Sequence, residues 1–437
     1  MLSLVAAMFA LGSVAGKDAE SSRLQWWTEA RFGMFIHWDM SSMAGTEISW
    51  SRKGSKPLDI TGDPAGYVED PVYDHLYTRF NPTKFSADEW AKLAKDAGMK
   101  YVVFTSKHHG GFAMFHTALS DYNIANTPFK RDVLKELFQA CRKQGLRVGI
   151  YYSPRDWHHP DYGAEDPSKY HAYLMGQLSE LLTRYGKIDV MWFDSFGRGD
   201  SLKYWKADEM LDLVRRLQPE IIINNRGGFY GDDNPQFHAD FDTPEQRLGE
   251  FQNNRPWESC MTVVRTPEGG GWSYRPDGTV RSFEECVRSL ASCACGDGNL
   301  LLDVGPDSTG IIPENQASRL KEIGEWLRSN GASIYKTRGG PYRNGAWGGS
   351  TYRGKTVFLH VFQWPQGDLA LRPLKAKILS IRTTKGANPI YSQSESGIRI
   401  LVSQSDRDLV DTVLELRLDR SASAEMVDGK PLDGPTY

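Results

Sequence analysis

The chain has 437 residues, 40% hydrophobic and 24% charged, which is too long for one small domain and ordinary for a globular protein of two or three. Its 52 Lys and Arg against 55 Asp and Glu leave a formal charge of -3 without any basic run, so neither a nucleic acid nor an acidic membrane is expected as a partner. Five cysteines are few and odd in number at this length; they are not a disulfide framework and read as small buried thiols.

Residues 1–16 are apolar from Leu2 to Leu11 and end in Ser13-Val14-Ala15, the pattern of a cleaved export signal, although no Lys or Arg precedes the run. It is too short to span a bilayer, so a secreted or periplasmic chain is expected. Residues 17–338 read as one catalytic unit. Trp26 to Arg31 predicts a short helix feeding a strand, Phe32 to Trp38, with His37 near its end. The polar stretch Ser41 to Pro71 follows, and loops of such length in a compact domain are usually functional. Ser86 to Glu89 has the form of a capping box, Trp90, Leu93, Ala94 and Ala97 recur at helical spacing, and Gly98 stops the helix. Tyr101 to Ser106 is then a buried strand ending on Lys107-His108-His109.

The unit repeats. Asp132 caps a helix that Gly145 ends, and Leu146 to Tyr152 is a strand; Tyr170 to Gly186 is a helix, and Ile188 to Phe193 a strand ending on Asp194. A helix from Leu202 to Leu217 leads to the strand Ile221 to Asn224, which opens onto Arg226. Gly227 to Pro256 is Gly/Asn-rich and acidic, with Glu245 in the run TPEQ, before a strand over Cys260 to Val264. Ser282 to Cys295 is a capped helix, Leu300 to Val304 a strand, and Pro313 to Asn330 the last long helix. Strand-helix alternation with polar strand ends predicts a parallel sheet wrapped by helices. Because those residues end many strands, and no Gly-rich phosphate loop follows any, a closed (β/α)8-like barrel is favoured over an open sheet. Residues 339–437 change to short alternating runs, Val357 to Phe362, Ile378 to Thr383, Ile398 to Val402 and Leu414 to Leu418, which predict a C-terminal all-β sandwich.

In a closed parallel barrel the strand ends His37, His108, His109, Tyr151, Asp194 and Arg226 converge on one rim with the carboxylates Glu47, Glu245 and Glu258. Asp194 taken alone reads more readily as an N-cap or a loop acid, and one of the two adjacent histidines could point into the core. Trp38, Trp50, Trp192 and Trp272 are candidate apolar walls, since flat amphipathic rings suit stacking against sugar faces. Carboxylates without any metal-ligand or cofactor fingerprint point to glycoside cleavage, in which one acid attacks or stabilises the anomeric centre and the other protonates the leaving oxygen.

FGMFIHW (Phe32 to Trp38), KHHGGF (Lys107 to Phe112), GIYYS (Gly149 to Ser153), MWFD (Met191 to Asp194), PWESC (Pro256 to Cys260) and NLLLDVGPDSTG followed by WLRSNGASIY (Asn299 to Tyr335) together resemble the α-L-fucosidases of glycoside hydrolase family 29. The resemblance implies a retaining exo-acting enzyme on fucosylated oligosaccharides or glycoconjugates, needing no cofactor and no metal. It implies Asp194 as nucleophile, with His37, His108, His109, Tyr151, Trp192 and Arg226 around the fucose, Phe35 and Trp272 on its methyl side, and Glu47 with Trp50 in the segment EISW at a sugar-binding position. Glu245 is the expected acid/base and Glu258 its alternative. The usual HHDGF is here HHGGF, so Gly110 removes an acid that would orient its neighbours, and Ser195 follows the nucleophile where Gly is usual. Two other readings are a fucose-binding protein that has lost catalysis and a glycosidase acting on a related sugar or a fucan fragment.

Overall fold

A computed structural model describes residues 23–53, 68–194, 206–227, 239–267, 269–427 and 429–435. The expected export signal and Ser195 lie outside them.

Three of the helices start at the caps the sequence marks. The Ser86 hydroxyl accepts from the Glu89 amide at the head of the helix Ala87–Asp96, and Asp132 accepts from Lys135 before Val133–Lys143. Ser282 and Glu285 form the full reciprocal box ahead of Phe283–Cys295. Between such helices run β1 (Phe32–Ile36), β2 (Tyr101–Lys107), β3 (Arg147–Tyr152), β4 (Val190–Phe193), β5 (Ile222–Ile223) and β6 (Glu258–Thr262). A small hairpin, β7 (Val264–Arg265) and β8 (Thr279–Val280), precedes β9 (Asn299–Val304). The main sheet has seven strands in the order β5-β4-β3-β2-β1-β9-β6, every neighbour parallel.

Its two edges are joined by a segment without an apolar run. Parallel bridges pair Asn224 with Phe241, Asp242 with Trp257 and Glu245 with Cys260. The Asp240 amide donates to the Ile223 carbonyl (2.7 Å) and the Glu258 amide to the Asp242 carbonyl (2.8 Å). This irregular eighth strand closes the barrel within what the sequence presents as loop. The expected strand Cys260 to Val264 begins two residues earlier, at Glu258, which places that carboxylate inside a strand.

Period-two alternation sorts the strands into an outer and an inner set. Met34, Ile36, Val102, Phe104, Ile150 and Met191 pack outward against the helices, while Phe35, Tyr101, Val103, Tyr151, Trp192 and Leu301 fill the barrel. Two residues beyond an inward side chain the next inward position falls at the carboxyl end of the strand. Phe35 is thus followed by His37, Tyr151 by Ser153, Trp192 by Asp194 and Leu301 by Asp303.

From Arg338 onward the sheets are antiparallel, one of five strands and one of three. Leu414, Leu416 and Leu418 alternate inward with Val357, Leu359 and Val361 in a separate apolar cluster. Arg288, on the helix Phe283–Cys295, ties the two parts together by donating to the carbonyls of Phe362 and Val410 at 2.9 and 2.8 Å. No helix among the described residues is long and apolar enough to cross a membrane.

Candidate active site

Asp194 follows β4 at the carboxyl rim. The Tyr151 hydroxyl donates to its Oδ2 (2.8 Å), His109 Nε2 stands 3.5 Å from the same oxygen, and Arg226 Nη1 reaches Oδ1 at 3.4 Å. Burial and the neighbouring Asp194 charge hold the Tyr151 phenol well above its ordinary pKa, so it stays a donor. The same Arg226 nitrogen also donates to Glu245 Oε2 at 2.6 Å. Two carboxylate oxygens at 3.4 and 2.6 Å from one atom are at most about 6 Å apart. Thr243 sets the guanidinium for this double contact, its Oγ1 accepting from Nε (2.7 Å) and its carbonyl from Nη2 (2.8 Å). Arg226 also lies over the Trp192 ring, 4.9 Å from its centroid.

Three histidines stand together, each engaged through Nδ1. His37 meets Asp303 at 2.7 Å, His108 meets Ser49 at 2.7 Å, and His109 meets Ser153 at 2.6 Å. With Nδ1 taken, Nε2 is the nitrogen each ring leaves to the pocket. Burial pushes the His37 pKa down to about 3, partly offset by Asp194. Burial also holds His108 and His109 well below the usual range, helped in His108 by His109 and His37 and in His109 by Arg155. All three are neutral imidazoles at physiological pH. His108 and His109 both join the site because β2 ends at Lys107 after a register shift, so strand alternation no longer separates them. Burial, reinforced by Glu47, raises Asp303 well above the carboxylate range.

Aromatic rings complete the enclosure. Phe35 lies 5.0 Å from Trp192 and 6.1 Å from Trp272, His37 lies 5.0 Å from Trp272, and Trp50 meets His109 edge-on at 5.5 Å. Trp38 is not a wall. It packs between Phe80, Phe85 and Trp90 in the outer layer, because it follows the inward-facing His37 by one residue. Glu47 occupies the side of the site, where Oε2 accepts from the Gly271 amide (2.9 Å) and Oε1 from the Ser273 amide (3.2 Å), gripping the backbone on both sides of Trp272. Burial raises its pKa against these two bonds. Glu47, Trp50 and Trp272 also line an adjoining cavity of about 490 Å³, together with Thr266, Arg275 and Pro276.

Glu258 lies apart from this rim, beneath the floor. It is fully buried, and both oxygens are occupied, one by the Trp192 indole (3.3 Å) and the other by the Trp27 indole (3.3 Å) and the Tyr101 hydroxyl. Burial raises its pKa to about 7 against those three hydrogen bonds. His158 and His159 are in a loop outside the site, His158 stacked on Tyr122. The five cysteines are free and buried. His108, His109 and Asp194 offer ligand atoms within 4.8 Å of one another, the spacing of a metal site. Arg226 beside the carboxylate, with Arg155 and Lys107 acting on His109, puts positive charge where a cation would sit.

Ser49, Ser153, Thr243 and Asp303 escaped sequence reasoning. For Ser153 and Asp303 a signal existed, each lying two residues beyond an inward-facing residue of an apolar strand. Ser49 and Thr243 carry none, because their partners are set by loop geometry.

Plasma alpha-L-fucosidase from Rattus norvegicus is 32% identical over 365 residues, covering 78% of this chain and 77% of its own. Alpha-L-fucosidase isoenzyme 1 from Paenibacillus thiaminolyticus superposes with a TM-score of 0.81 at 34% identity, over 92% of this chain and 100% of that one. A GH29 alpha-L-fucosidase from Bacteroides thetaiotaomicron, solved as a trapped covalent intermediate with 2-fluoro-fucosyl fluoride, gives 0.78 at 26% identity, over 91% and 96%. Two carboxylates this close on the rim of a parallel barrel agree with a glycoside hydrolase of the retaining kind. A model of the alpha-L-fucosidase family matches residues 14–332. The chain belongs to that family.

Proposed function

We propose that this chain hydrolyses terminal α-L-fucosyl residues of oligosaccharides or glycoconjugates by double displacement, with Asp194 as nucleophile and Glu245 as acid/base. The observation that carries the assignment is the single nitrogen of Arg226 shared by the two carboxylates. In the first step Asp194 attacks the anomeric carbon as the glycosidic bond breaks, and Glu245 gives its proton to the departing oxygen. In the second, Glu245 takes a proton from water, the water oxygen attacks the same carbon, and Asp194 leaves. Arg226 and the Tyr151 hydroxyl hold Asp194 in place between the steps.

His37, His108, His109 and Arg226 surround the sugar as hydrogen-bonding partners, Phe35, Trp192 and Trp272 bound its apolar side, and Glu47 and Trp50 line the way to the leaving group. Glu258 is set aside as acid/base because both its oxygens are committed under Trp192. An aryl α-L-fucoside followed by proton NMR tests the reading. α-L-Fucose appearing first is expected; the β anomer first, or fucose binding without turnover, overturns it, and faster cleavage of a galactoside or fucan fragment reassigns the sugar. Export of the chain is supported by the apolar run Leu2 to Leu11 and is checked by N-terminal sequencing of protein recovered outside the cytoplasm.

A further inference from the structure

Gly110 leaves room for a neighbour's hydroxyl. Ser49 is fully buried, and its Oγ accepts from the Gly110 amide at 2.6 Å while standing 2.7 Å from His108 Nδ1. A Cβ added at residue 110 would lie 2.9 Å from that oxygen and 3.4 Å from Ser49 Cβ, so a side chain there and the hydroxyl compete for one place. Ser49 is held in position by two further features. Its backbone has φ of 57°, the left-handed region that a non-glycine residue rarely enters, and its amide donates to the Tyr73 hydroxyl at 2.8 Å.

A serine hydroxyl has one proton and two lone pairs. The Gly110 amide can only donate, so it uses one lone pair. The Tyr73 hydroxyl also lies by the Ser49 side chain, but its oxygen already accepts from the Ser49 amide; at 2.7 Å His108 Nδ1 is the nearer acceptor, and the serine proton goes to it. The opposite arrangement, Nδ1–H donating to the oxygen, would leave the buried serine proton only the Tyr73 oxygen, which already accepts from the Ser49 amide. His108 therefore carries its own proton on Nε2, which faces the pocket. The ring plane is set independently by stacking on Tyr151, centroids 5.4 Å apart and 8° from parallel, so the tautomer is the freedom that remains.

We propose that Ser49, seated in the space left by Gly110, is a positioning residue that fixes the His108 tautomer and makes this imidazole a hydrogen-bond donor to one hydroxyl of the bound sugar. The proposal rests on the fucosidase reading for the identity of the ligand and on the Ser49 geometry for the direction of the bond.

The tautomer is read directly by 15N NMR of histidine-labelled wild-type enzyme at neutral pH. His108 is expected with a bare Nδ1 and a protonated Nε2; a protonated Nδ1 overturns the proposal even if the enzyme is a fucosidase. Kinetics then test the consequence. Ser49→Ala is expected to lower kcat/KM on an aryl α-L-fucoside about 10-fold, the effect of one hydrogen bond of roughly 1.4 kcal/mol. On monodeoxy analogues the loss should vanish for the sugar lacking the hydroxyl that His108 meets and persist for the others. Gly110→Ala, which crowds the same oxygen, should give the same pattern. No loss, or an equal loss across all analogues in both variants, would reduce Ser49 to a structural residue. Failure of the wild-type enzyme to cleave the parent fucoside would instead refute the functional reading and leave the NMR result standing.

Discussion

Asp194 and Glu258 are built from the same materials. Each is a carboxylate inside the barrel with a tyrosine hydroxyl on it, Tyr151 on one and Tyr101 on the other, and Trp192 lies between the two levels. What separates them is the rest of the company. Asp194 has a guanidinium and an imidazole beside it, and 15% of its side chain is exposed. Glu258 has only neutral donors and no exposure, and its pKa rises to about 7. Partner charge and exposure at the rim suit Asp194 to the role proposed for it, and Glu258 has neither.

The sharpest way to break this comparison is to remove each carboxylate. Asp194→Ala should lower kcat on an aryl fucoside on the order of 10⁴-fold or more while the protein stays folded by circular dichroism. Wild-type-like turnover would show that the rim acid is not the nucleophile. Glu245→Gly should cost about 10²–10⁴-fold, with the loss largely recovered when azide is added, since a small nucleophile replaces the water that Glu245 activates. Recovery in Glu258→Gly instead would exchange the roles assigned to the two levels.

The lower level is sharpened by stability rather than rate. A glutamine at 258 offers one acceptor to three donors, so Glu258→Gln should destabilise by about 2–3 kcal/mol in urea unfolding. It should also remove a pH dependence. The folded chain holds the Glu258 proton up to about pH 7, while the unfolded chain releases it near the ordinary value of 4.5. The carboxyl's contribution is thus full below about pH 4.5 and falls as pH rises to about 7, by on the order of 3 kcal/mol. The difference between wild type and variant should carry that slope; a flat difference would mean the carboxyl is ionised where it lies. The smallest effect is expected at Thr243→Val, which removes the hydroxyl from Arg226 Nε and should reduce kcat/KM about 10-fold in the same assay.

Much of the upper level was legible because strand physics puts it there. An apolar run long enough to be buried on both faces ends at the rim, and the inward positions near that end face the pocket, which is why His37, Tyr151 and Asp194 stand out in FGMFIHW, GIYYS and MWFD. The same rule marks Ser153 and Asp303, two residues beyond Tyr151 and Leu301. The lower level was harder to read. Glu258 stands next to Trp257 in a run whose strand starts two residues earlier than its apolar pattern indicates, and its partners Trp27 and Tyr101 come from distant segments. The closing strand escaped because FDTPEQ contains a proline and two acids with a single large apolar residue, Phe241, to face the barrel.

That closing strand bears both Thr243 and Glu245, and it is joined to its neighbours by isolated bridges where the other strands have continuous ladders. Local opening is easiest where few bonds must break. On gentle warming, turnover should consequently fail while near-ultraviolet dichroism still reports an intact protein, and the loss should reverse on cooling. Coincident curves would mean that the seam parts only when the whole molecule melts.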